Sequence, residues 1–184
     1  MTVRNISFSP EHSLEAILYI SGKVAEATIH EVLKIIYFSD KLHLSKYGIL
    51  ASGDEYVAMD FGPVASNTYN LIKAARGDQS SYINPLFYKI VDDSFGIAED
   101  KKTIIAYRDP RVEYLSTAEI ECFKDAIQQS SGLNFKQRTE LSHDQAWKSA
   151  RKSGGDGVGA SPMPVSDIAN TLENAKEVIT YISA

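Results

Sequence analysis

The chain has one cysteine, no long apolar run and no surplus of positive charge, and each lack removes a class of protein. A lone thiol, Cys122, forms no internal disulfide, which excludes a disulfide-stapled secreted scaffold and suits a reducing compartment. The longest apolar stretch, near Ile35 to Phe38, is far shorter than the roughly 20 residues that a membrane-spanning helix needs. Met1 to Pro10 (MTVRNISFSP) lacks the apolar centre of a secretory signal, so the expectation is a cytoplasmic protein with no membrane partner. Lysine and arginine total 19 against 24 aspartates and glutamates, a formal net charge of -5. That balance argues against nucleic acid as a partner, because displacing counterions from a phosphate backbone takes a dense cationic surface.

What is present is an ordinary globular mixture, 43% hydrophobic and 23% charged over 184 residues, enough for one real core. Ser9-Pro10 reads as an N-cap with proline at the first helical position, opening a helix that Gly22 ends. Thr28 and Glu31 have capping-box spacing, and Ile29, Val32, Leu33 and Ile36 continue a helix to about Leu44. Ile49–Ser52 and Tyr56–Phe61 around Gly53-Asp54 predict a short hairpin, after which Gly62-Pro63 is expected to open a helix running to Gly77. A second strand pair is expected between Phe87 and Tyr107. Ser116 and Glu119 form a second capping box, with Ile120, Phe123 and Ile127 on one helical face, and two shorter helices follow over 134–140 and 143–152. The fold class is α+β, a mostly helical single domain with a small antiparallel sheet or hairpins. Its expected divisions are a domain over 1–152, a Gly/Pro-rich linker over 153–164 and a C-terminal helix over 165–184.

No catalytic constellation emerges. His12, His30, His43 and His143 show no metal-ligand spacing, and Cys122 has no base nearby in sequence. Gly154-Gly155-Asp156-Gly157-Val158-Gly159 lacks the preceding strand and the following Gly-Lys-Ser/Thr of a phosphate loop. The expectation is therefore no enzyme, no catalytic residue, no cofactor and no metal.

Two separated motifs carry a family resemblance. Val32 to Ala74 reads VLKIIYFSDKLHLSKYGILASGDEYVAMDFGPVASNTYNLIKA, containing Lys34 to Phe38 (with Tyr37 and Phe38), His43, Gly53-Asp54 through Ala58, Phe61-Gly62-Pro63-Val64 and Tyr69. Leu141 to Trp147 (LSHDQAW) supplies His143 and Trp147. This pattern resembles the Panacea, or SocA-like, domain over about Ser13 to Arg151, with Ala65 standing where the family often has proline. The resemblance implies the antitoxin half of a bacterial or phage toxin–antitoxin pair, with a place in phage defence. It also implies neutralisation of a cognate protein toxin by direct contact, or delivery of that toxin to a protease by an adaptor. The motif residues read first as structure: glycines for turns, proline for a helix start, and aromatics, Trp147 above all, for a buried core. Independently of the resemblance, Ile168, Leu172, Ile179 and Ile182 make an apolar seam on the last helix. That seam is a candidate surface for the toxin or for a second copy of the chain, or else it packs back on its own domain. A winged-helix-like DNA-binding regulator is the alternative function, and it requires Lys34, Lys41, Lys46 and Arg76 to gather on one face.

Overall fold

The computed structural model describes residues 7–78, 83–155 and 159–183. Helix α1 (Pro10–Lys23) starts where the sequence indicates, with the Ser9 side chain accepting from the His12 amide at 3.2 Å. Its residues from Ser13 to Ile20 are all buried, so it is wrapped by other elements and has no solvent face along that stretch. Helix α2 (Ile29–Tyr47) is the longest and runs through the centre, burying eleven residues, among them Val32, Ile35, Tyr37 and Leu44. Thr28 caps it by accepting from the Glu31 amide at 3.2 Å. The Glu31 carboxylate, in turn, takes an ion pair with Arg138 at 2.5 Å.

Strands β1 (Tyr56–Met59) and β2 (Gly62–Ala65) form an antiparallel hairpin, and helix α3 (Ser66–Ala75) follows directly. This corrects two expectations. Ile49–Ser52 is not the first arm of the hairpin, and Gly62-Pro63 opens a strand instead of a helix. Gly62 has φ of +103°, which lets the chain reverse after Met59, and Pro63 then sits on an edge strand where no ladder amide is required of it. The helix start moves to Ser66 because its cap comes from far along the chain. Asp54 accepts from the amides of Asn67 (2.9 Å) and Thr68 (2.8 Å) and from the Thr68 hydroxyl (2.8 Å).

Helix α4 (Pro85–Asp92) replaces the first half of the expected second strand pair. Asn84 caps it and Pro85 occupies its first turn, the same cap-plus-proline chemistry that opens α1. The pair itself is confined to β3 (Phe95–Ile97) and β4 (Ile104–Ala106). Helices α5 (Thr117–Ser130), α6 (Phe135–Ser142) and α7 (Gln145–Gly154) then pack in succession, the first two opened by full capping boxes. The Ser116–Glu119 box is the one expected, and the Glu119 carboxylate also meets His12 at 2.7 Å, joining α5 to α1.

The end of the chain returns to the core. Within the stretch expected to be linker, β5 (Ser161–Met163) pairs antiparallel with β1, giving a three-stranded sheet of order β2-β1-β5. Two short helices, α8 (Val165–Ala169) and α9 (Ala175–Ile182), stand where one continuous helix was expected. Asn174, at their junction, bonds both the hydroxyl (2.8 Å) and the carbonyl (2.9 Å) of Ser45 near the end of α2. Ile168 and Ile182 are fully buried in the main core, against which Leu172 and Ile179 also pack.

Candidate functional site

Several motif residues, Tyr37, Gly62, Pro63, His143 and Trp147, converge beneath one surface, where α2, the β1–β2 hairpin and the α6–α7 junction meet. Lys34, one turn into α2, is 1% exposed and donates to the Pro63 carbonyl at 2.7 Å. Burial of its ammonium pulls its pKa down to about 7. A Cβ on Gly62 would lie 2.4 Å from Ser142 Oγ and 2.9 Å from Lys34 Cε, so hairpin, α2 and α6 close on one another only around glycine. One turn further along α2, Tyr37 and Lys41 both donate to Asp144 Oδ2 at 2.7 Å. Asp144 is also the N-cap of α7, holding the Trp147 amide at 3.1 Å. Burial, with the Asp144 charge beside it, raises the Tyr37 phenol far above its ordinary range, so it stays a proton donor. His143 stacks flat on Trp147, ring centroids 3.5 Å apart, and Trp147 Nε1 donates to the Met59 carbonyl at 2.9 Å. Trp147, expected to be largely buried, packs partly buried against the core, and its indole covers the end of β1.

Above this framework lies a cleft of about 770 Å³ between the start of α2, the hairpin turn, α6 and the turn between β3 and β4. Its apolar lining includes Ile29, Leu33, Met59 and Val64. Phe61 and Phe135 stand at it edge to face, centroids 5.2 Å apart, yet they are 60% and 49% exposed. His30 packs against Phe135 at 4.2 Å and contacts the Thr139 hydroxyl at 3.1 Å. Burial, followed by the charges of Lys34 and Arg138, lowers its pKa to about 4, so the imidazole is neutral at physiological pH and presents an aromatic face.

The other sequence-derived residues fall elsewhere. Phe38 and His43 are buried on α2, with His43 Nδ1 at 2.9 Å from the Ile49 carbonyl, and Tyr69 lines the cleft beneath Lys73. Ile168 and Ile182, offered as partner contacts, are taken up by this chain's own core. The four cations that a DNA-reading face needed do not form one. Lys34 is buried, while Lys41, Lys46 and Arg76 are ion-paired with Asp144, Asp125 and Asp78. Cys122 is buried, and burial pushes its thiol pKa up, the opposite of an activated thiolate. Among the described residues no group of three histidine, cysteine or acidic side chains is placed to hold a metal, and no helix is long and apolar enough to cross a membrane.

Sequence reasoning passed over Phe135, Arg138, Lys101 and Lys102, and it read Phe61 as motif only. Phe135 follows the Asn134 cap as the first residue of a polar helix, a solitary aromatic with no helical partner to bury it. That was the signal available.

Comparison with known proteins gives one finding: the family model described as antitoxin SocA-like, Panacea domain, matches residues 32–148. No curated protein and no solved structure matches the chain.

Proposed function

We propose, since the chain belongs to the SocA-like Panacea domain family, that it is the antitoxin of a toxin–antitoxin pair and neutralises a cognate protein toxin by direct contact at the Phe61–Phe135 cleft. Family membership supports a toxin–antitoxin role in general. The observation that carries the direct-contact reading is the exposed aromatic pair at the mouth of an apolar cleft, inside the matched segment. Large aromatics are costly to leave in water and are enriched among the few residues that dominate protein–protein affinity. The framework beneath them is rigid, because Lys34, Asp144 and Gly62 lock three elements together. A rigid platform loses little conformational freedom on binding, so more of the contact energy appears as affinity.

The test is growth. The adjacent reading frame, induced alone, should arrest cells, and co-expression of this chain should restore them. Phe61→Asp with Phe135→Asp should abolish the rescue while the purified variant melts near the parent. Full rescue by that folded double variant contradicts the reading.

A further inference from the structure

The cleft that the preceding reading assigns to a toxin also has a charge that specifies what enters it. Five cationic side chains line it, Lys34, Arg76, Lys101, Lys102 and Arg138, against the acidic Glu31 and Asp60, in a chain whose net charge is -5. Most of these charges are already occupied. Arg138 pairs with Glu31, Arg76 with Asp78, and Asp60 with Arg151, while Lys34 is bonded to the Pro63 carbonyl. Lys101 and Lys102 have no ion-pair partner among the described residues, and both are exposed. They are held in place by their backbone. The Lys102 carbonyl accepts from the Ile29 amide at 2.8 Å, and Asp100 caps the turn by accepting from the Lys102 and Thr103 amides. The turn therefore brings two lysines that make no salt bridge, Lys102 with the Asp100 charge nearby, to the cleft that Phe61 and Phe135 border.

We infer that the occupant is a segment of the partner protein in which one large apolar side chain is flanked by carboxylates, the apolar group meeting Phe61 and Phe135 and the carboxylates meeting Lys101 and Lys102. This rests on the reading that the chain holds a protein. A compact phosphate or nucleotide fits less well. It needs several free donors converging on one point, and here the convergent ones, Lys34 and Arg138, are already bonded to a carbonyl and a carboxylate. Two flexible lysines beside an apolar floor match charges spaced along an extended chain.

The experiment pans a phage-displayed library of random peptides on the full-length protein, with counter-selection on Phe61→Ala/Phe135→Ala. Enriched peptides should carry aspartate or glutamate around a single aromatic or aliphatic residue. Fluorescence anisotropy should show roughly tenfold weaker binding to Lys101→Glu/Lys102→Glu, with affinity falling as salt rises. Basic or uncharged winners, winners that bind the parent and Phe61→Ala/Phe135→Ala equally, or no enrichment at all would overturn the proposal. So would ATP protecting the parent, and not the Lys101→Glu/Lys102→Glu variant, in a thermal-shift assay, which assigns the cleft to a nucleotide. Growth rescue is read separately. Acidic peptides that bind a chain unable to rescue cells count against the antitoxin reading alone, whereas rescue undisturbed by Lys101→Glu/Lys102→Glu counts against the acidic segment alone.

Discussion

Lys34 carries an ammonium group into a site that is 1% exposed, with a single carbonyl to receive one of its three protons. Its pKa near 7 lies below the ordinary 10.5, so below about pH 7 it is charged in both the folded and unfolded chain and its burial cost is complete. Between about 7 and 10.5 the unfolded chain holds the proton and the folded one does not, so stability rises with pH across that window. The melting temperature of the parent should therefore gain on that of Lys34→Met as pH is raised from 7 to 10.5. A constant difference between the two would show that Lys34 is solvated. Gly62 makes the complementary case for backbone. Gly62→Ala places a Cβ against Ser142 Oγ and Lys34 at a φ of +103°, and it should cost about 1–3 kcal/mol in denaturant melts. Adding Ser142→Ala should recover part of that loss and leave the part due to φ.

Caps decide where the elements begin, and they also decide which of them the sequence reveals. Ser9, Thr28, Ser116 and Asn134 lie next to the helices they start, and those helices are legible from spacing alone. The helix ending near Gly77 is legible too, but the start of α3 is not, because its cap, Asp54, lies twelve residues before Ser66 and across a hairpin. Asp54→Ala should accordingly cost about 2 kcal/mol or more, with hydrogen exchange at the Asn67 and Thr68 amides accelerated beyond the rest of the helix. Protection of those two amides equal to that in the parent would mean that another group caps α3. The same limit hid β5. Ser-Pro-Met has no alternation of its own and becomes a strand only because β1 offers an open edge. The terminal seam was visible as a pattern, yet its destination depends on where α8 and α9 dock. With Ile168, Val178 and Ile182 buried, each contributes about 1.5–3 kcal/mol before ordering costs. Deletion from Val165 onward should therefore lower the melting temperature sharply and reduce solubility. A truncated chain that melts like the parent would mean that the seam is not part of the core.

At the scale of the whole molecule, the chain is a helical framework around α2 whose interior polar contacts hold one surface still, and that surface bears the exposed phenylalanines. The motif residues were legible in the sequence because they match the pattern of a known family over 32–148. The cleft was not, because Phe61, Phe135 and Lys101-Lys102 are far apart in the chain and meet only through the tertiary fold. The most direct test of the central claim is a pull-down from cells co-expressing the tagged chain with the product of the adjacent reading frame. It compares the parent with Phe61→Asp/Phe135→Asp after circular dichroism has shown that both are folded. The parent should retain that protein through washing and the double variant should lose it, since removing hot-spot aromatics costs on the order of 2 kcal/mol or more each. Equal retention by the two would contradict the assignment of the cleft as the binding surface.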